Sequence, residues 1–154
     1  YNVIKGNLCG YADFDYFELE STHRGNHYNA FAEVDFSQYD EREGMELIRP
    51  VGKRPMQFIT NIKNNDWSVF NNLTFKKRPT RVTLELKAVN SDAVLEIGKG
   101  SLQGDLMALC PIRSTNGQWD KQSFQVRKLK KKEKLYFIFR NSDKELAIKN
   151  FVFE

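Results

Sequence analysis

Trp119 follows directly on Asn116, Gly117 and Gln118, in a stretch, RSTNGQWDK, where nearly every neighbour is polar. An indole carries more apolar surface than most side chains and is usually drawn inward. Presented by an Asn-Gly-Gln turn instead, it has the chemistry of a stacking platform. The apolar face of a pyranose packs on an aromatic ring, and nearby amides and carboxylates hydrogen-bond the hydroxyls at its edge. The plainer role for the same residue is a rim tryptophan folded over the end of the core.

A second group with chemical potential lies at the two ends of the chain. In FELE, strand alternation puts Glu18 and Glu20 on one face, where two carboxylates repel unless they face water or share a cation. In the closing stretch LAIKNFVFE, the same alternation puts Leu146, Ile148, Asn150 and Val152 together. Asn150 then stands in an otherwise apolar row and needs hydrogen-bond partners. Chain termini often lie near each other, so Glu18, Glu20 and Asn150 would offer hard oxygen ligands suited to a structural calcium.

Other polar clusters carry less. His23 and His27 in HRGNH are spaced for one side of a helix, but Gly25 and Asn26 argue against a helix, and no third nitrogen or sulfur ligand lies nearby. RKLKKKEK, Arg127 to Lys134, reads as a phosphate or acidic-glycan patch or as a solvated hairpin connection, and no aromatic interleaves its lysines to stack bases. The chain has no G-x-S-x-G elbow, no glycine-rich phosphate loop and no H-E-x-x-H, so a non-enzyme is expected. Cys9 and Cys110 could form one bridge in an oxidising compartment, and two thiols are equally ordinary in a reduced protein.

The elements that must position these residues follow from periodicity. In RVTLELKAV, Val82, Leu84, Leu86 and Ala88 share one face and Arg81, Thr83, Glu85 and Lys87 the other, the pattern of a half-buried antiparallel strand. AVLEIG and SFQV are shorter versions, LYFIF is a buried strand by its length and aromatic content, and VFNNLTF and LAIKNFVFE complete the set. Turn signals at Asn90-Ser91-Asp92, Asn116-Gly117 and Asn141-Ser142-Asp143 punctuate them. Short strands at such spacing predict an all-β, antiparallel sandwich. DYFELE reads as a further strand; Ser21 to Lys53 reads as loop, with room for a short helical turn around Asp40 to Leu47.

The 154 residues are 40% hydrophobic and 13% aromatic, enough for one domain with a real core and too few for two. A net charge of +4 is too mild to demand a nucleic-acid partner. No apolar run approaches the ~20 residues of a membrane span, so a soluble protein is expected. Tyr1 in place of Met points to a processed chain or a segment of a longer one.

The order of three stretches resembles carbohydrate-binding module family 6. FELE is similar to the family's opening Glu-Ala-Glu strand, IKNNDWSVFNNLTF to its Asn-Gly-Asp-Trp strand, and STNGQWDK with LYFIFRNSDKELAIKNFVFE to its Thr-Gly-Gly-Trp loop and closing strands. The resemblance runs from Phe17 to Phe153. It implies a jelly-roll sandwich of the galactose-binding-domain type over residues 15–154, after a lead-in segment 1–14. It also implies that Trp119 walls a sugar cleft, that Phe58 is the nearest candidate for the opposing aromatic, and that Asn141 reads hydroxyls. Glu18, Glu20 and Asn150 correspond to the family's calcium ligands, although aspartate is usual at the last position. Trp67 corresponds to a core residue.

The function so implied is non-catalytic: binding of a xylan- or arabinan-like plant or algal polysaccharide by a secreted or cell-surface, monomeric module attached to a glycoside hydrolase, with no nucleic-acid or membrane partner. The competing expectation is a structural sandwich that packs against its parent enzyme and binds no glycan.

Overall fold

The computed structural model describes residues 27–49, 57–89, 92–142 and 145–154. Glu18 and Glu20, in the stretch read as an opening strand, and also Cys9 and His23, lie outside the described residues. The strands, in chain order, are β1 (His27–Asn29), β2 (Val34–Asp35), β3 (Glu41–Glu43), β4 (Glu46–Ile48), β5 (Phe58–Thr60) and β6 (Trp67–Thr74). They continue with β7 (Arg81–Lys87), β8 (Val94–Lys99), β9 (Asp105–Pro111), β10 (Asp120–Gln125), β11 (Lys132–Arg140) and β12 (Ala147–Phe153). They form two six-stranded sheets. One runs β1-β6-β11-β8-β9 with β3 also on β6; the other runs β10-β7-β12-β5-β4 with β2 also on β12. All pairs are antiparallel except β1 with β6.

The alternation read in the sequence decides which side chains meet between the sheets. Val82, Leu84 and Leu86 of β7 are buried, while Arg81, Thr83, Glu85 and Lys87 face outward. From the opposite sheet, Phe70, Phe137 and Phe139 point in, and β12 answers with Phe151 and Phe153. Phe36, on a short 3-10 turn at Phe36–Gln38, enters this group with ring centroids 5.5 Å from Phe137, 5.6 Å from Phe70 and 6.2 Å from Phe151. Asp35 caps that turn, its Oδ1 accepting from the Ser37 N–H at 2.9 Å. Each fully buried Phe contributes on the order of 2–3 kcal/mol of burial.

Four expectations are revised. The stretch Ser21 to Lys53, read as loop, carries β1, β2, β3 and β4 in its described part, residues 27–49. The segment around Asp40 to Leu47 holds β3 and β4 instead of a helical turn, joined at Gly44 and Met45, both at positive φ (75° and 52°). A Cβ on Gly44 would collide with the Asp66 carboxylate, which is packed there because its Oδ2 accepts from the N–H groups of Met45 and Lys63. Trp67, expected in the core, lies half-buried on the outer side of β6 against Tyr136, centroids 5.6 Å apart. Finally, a bulge between Ile148 and Asn150 resets the alternation of β12. Asn150 therefore leaves the apolar row and lies opposite Glu85 on the outer face, while Phe151 and Phe153 take the inward positions.

Candidate functional site

The outer face of β7, β10, β12 and β5 carries the site, at the end where β7 stops and β10 begins. Trp119 is delivered there by its turn. Asn116 and Gly117 have φ of 54° and 75°, a conformation that Asn and Gly adopt most readily. The Gln118 N–H closes the turn on Thr115 O at 3.1 Å. Thr115 ties the turn to the end of β7, donating its N–H to Ala88 O and accepting the Ala88 N–H on Oγ1, each at 2.9 Å. The buried Gln122 carboxamide brackets the Arg113 backbone, accepting its N–H at 3.0 Å and donating to its carbonyl at 2.9 Å. The loop is thus held at both ends, and the polar residues around Trp119 are the fastenings of the turn that presents it.

Asp120 pairs with Leu86, an inward position, so the preceding Trp119 falls on the outer side beside Lys87. Phe58 reaches the same place from β5: Ile59 pairs with Ile148 and is fully buried, which turns Phe58 outward. The two rings meet with centroids 5.3 Å apart and planes at 72°. The Lys87 ammonium is 5.0 Å from the Trp119 ring centre and 5.4 Å from that of Phe58. Lys149 Nζ lies 4.6 Å from the Trp119 ring centre.

Glu85 organises the flank of this corner. Its Oε2 accepts from Lys149 Nζ at 3.3 Å and its Oε1 from Asn150 Nδ2 at 3.0 Å. Burial pushes the Glu85 carboxyl up, but the hydrogen bonds from Asn150 and Lys149, with the charges of Lys149 and Lys121, outweigh it and hold the group below the usual glutamate range. Asn150 is only 7% exposed, so Glu85 is the partner its buried amide needs. With Nδ2 committed, Asn150 has one neutral oxygen, Oδ1, to give a cation, a donor of the kind calcium accepts. Among the described residues no group of three His, Cys, Asp or Glu is placed to hold a metal.

Asn141 sits on the turn closing β11, at the same end of the sandwich, with φ 53° and its N–H donating to Asn64 Oδ1 at 2.8 Å. Among the described residues no hydrogen bond or ring contact joins it to Trp119 or Phe58. The structure therefore brings Trp119 and Phe58 together and leaves Asn141 at the same end of the sandwich, bonded to Asn64 instead. Sequence reading missed Lys87, Lys149 and Glu85; the outward phase of β7 already named Lys87 and Glu85 as facing one way, whereas Lys149 depended on the bulge. His27 is exposed on β1. Among the described residues Cys110 is a buried free thiol, its pKa pushed up to about 12 by burial.

The family model for carbohydrate binding module (family 6) matches residues 37–154. No curated protein sequence matches the chain. Among solved structures, a β-1,3-glucan binding module of this family from Bacillus halodurans superposes with TM-score 0.75 at 19% identity, over 84% of this chain and 99% of that one. A family 6 module from Clostridium stercorarium, solved with cellobiose, gives TM-score 0.74 at 20% identity over 84% and 98%. A family 43 arabinoxylan arabinofuranohydrolase from Bacillus subtilis, solved with cellotetraose, gives 0.74 at 19% identity, over 83% of this chain and 28% of that larger one.

Proposed function

Since the chain belongs to family 6 of the carbohydrate binding modules, we propose that it is a non-catalytic module that holds an attached glycoside hydrolase on a xylan- or arabinan-like polysaccharide through the face built on Trp119 and Phe58. The observation that carries this reading is the meeting of those two rings, distant in sequence, on one outer face. A pyranose clamped between parallel rings needs about 7–8 Å, two van der Waals contacts of ~3.5–4 Å each. Rings 5.3 Å apart and steeply inclined leave no such slot. The sugar instead packs on one side of the corner, where the Lys87 and Lys149 side chains that lie over the Trp119 ring turn to its hydroxyls, together with Asn141 from the same end of the sandwich. Glu85 holds Lys149 in place for that role.

Affinity on the order of micromolar to millimolar suits so few contacts. The gain for the attached enzyme is a raised local substrate concentration. In this reading the module works outside the cell or on its surface, as a monomer, and a structural calcium is held by Asn150 Oδ1 with Glu18 and Glu20.

Affinity electrophoresis against xylan, arabinoxylan, arabinan and β-1,3-glucan, with Trp119→Ala alongside, tests the proposal. Retardation by one glycan that vanishes in the variant supports it; no retardation by any of them favours the structural role beside the parent enzyme.

A second face supports a further reading. Trp67 stands half-buried beside a recess of about 250 Å³ lined by Asn65, Leu102, Gln103, Ile138 and Arg140. If glycan binding survives Trp119→Ala and is lost in Trp67→Ala, that face is the binding surface.

A further inference from the structure

The far end of the sandwich, where β6 and β10 finish and β7 and β11 start, carries a different surface. Two loops meet there. One spans residues 75–80 and holds Lys77 and Arg78; the other spans residues 126–131 and holds Lys128, Lys130 and Lys131. These five side chains, with Leu129, line a groove of about 380 Å³. All five are exposed, and among the described residues none has a carboxylate within ion-pair distance.

The basic run is no free hairpin tip. Leu129 is 4% exposed and belongs to the core, which turns Lys128 and Lys130 outward on either side. The buried Glu133 accepts the Lys130 N–H on Oε2 at 2.6 Å. Backbone bonds fasten the two loops together: Phe75 N–H to Lys131 O at 2.8 Å, and Val126 N–H to Thr80 O at 3.0 Å. Like charges gathered in one fixed groove repel one another, and a polyanion relieves that repulsion.

We propose that this groove is a second binding site, for an anionic polysaccharide whose carboxylate or sulfate groups pair with Lys77, Arg78, Lys128, Lys130 and Lys131. The lining favours a sugar polymer over single-stranded nucleic acid because it has no aromatic ring on which a base would stack. Four of the five cations are lysines, which serve as point charges for anions of varied geometry. The site is independent of the Trp119 face.

The test is affinity electrophoresis of the whole chain in gels containing polygalacturonate, dextran sulfate or neutral dextran. It compares the wild type with Trp119→Ala, with Lys77→Gln/Arg78→Gln, with Lys130→Gln/Lys131→Gln, and with all four substitutions together. Thermal melting checks that each variant is folded. The expected result is retardation by a polyanion and not by dextran, falling steeply with added salt, unchanged in Trp119→Ala and weakened in each double variant. With four exposed ion pairs removed at the modest worth of such pairs, the quadruple variant binds at least about tenfold more weakly. Retardation by polygalacturonate alone assigns carboxylates as the ligand groups, and by dextran sulfate alone, sulfates. Equal mobility of wild type and quadruple variant, or no retardation by either polyanion, overturns the proposal. So does equally tight, equally groove-dependent binding of duplex DNA at matched charge, which would make this a phosphate-binding surface.

Discussion

Phe58 and Trp119 touch edge to face, centroids 5.3 Å apart with planes at 72°. The pair forms one corner, each ring fixing the other's orientation, instead of two separate walls. Trp119→Ala should therefore remove most glycan affinity, about thirtyfold or more as for a central aromatic anchor. Phe58→Ala should cost a smaller factor, about three- to tenfold, through loss of the edge contact. Titration calorimetry of both variants against the glycan that retards the wild type measures the difference; equal losses would argue against a corner.

Glu85 gives the site a pH signature. Its folded pKa lies below the ordinary value of 4.5, so the stability it adds is fully present above that value and is lost as pH falls through the lower folded one. Melting temperatures between about pH 6 and pH 3 should fall less steeply in Glu85→Gln than in the wild type. Parallel curves would show that the carboxylate contributes no linkage.

At Asn150 the neutral amide lets Glu85 accept a hydrogen bond. Asn150→Asp sets a second carboxylate against it and should lower stability by about 1–3 kcal/mol in EDTA, the usual cost of losing a buried donor. Calcium should restore part of the loss by placing a cation beside the new carboxylate. Melting in EDTA and in calcium, for wild type and variant, measures both effects, and a wild type indifferent to calcium would remove the ion from the proposed function.

Cys110 should resist alkylation in the native protein, because a thiol with pKa about 12 holds almost no thiolate at neutral pH. Iodoacetamide labelling followed by peptide mass analysis should find it unmodified until denaturant is added. Rapid native labelling would place it in a more open setting than the fold gives it.

Phe36 packs against Phe70, Phe137, Phe139 and Phe151 from outside both main strand runs. Phe36→Ala should cost about 3–5 kcal/mol, as large-to-small changes in a full core do. A urea melt with loss under 1 kcal/mol would mean that the turn carrying it contributes little.

The long strands were legible because one-sided burial writes a period of two into the chain. RVTLELK became β7 with the phase its apolar residues specify, and LYFIF became the centre of β11. The pairing of Trp119 with Phe58 was legible only through the family resemblance, since no local pattern connects β5 to the turn before β10. Asn150 was assigned to the wrong face because a bulge shifts phase by one residue without leaving a compositional mark. Residues 27–49 read as loop because their strands are two or three residues long, too short to show alternation. Trp67 read as core because the family resemblance implies a core tryptophan at that place, and only the pairing of β6 with β3 and β11 fixes its outward side. The basic groove was half visible: the run from Arg127 was plain, whereas its meeting with Lys77 and Arg78 is a product of the sandwich.

β7 joins the two ends of the described sandwich, from Arg81 near the basic groove to Lys87 under the Trp119 corner. At roughly 3.3 Å per residue it sets a separation of about 20 Å between the two ends. That distance works as a ruler for ligands. A disaccharide can occupy one end only, so small sugars at the corner and short anionic oligomers in the groove should bind without competing. A long polymer bearing both neutral and acidic stretches could engage both, and its grip would then grow with chain length in a way neither end alone would produce.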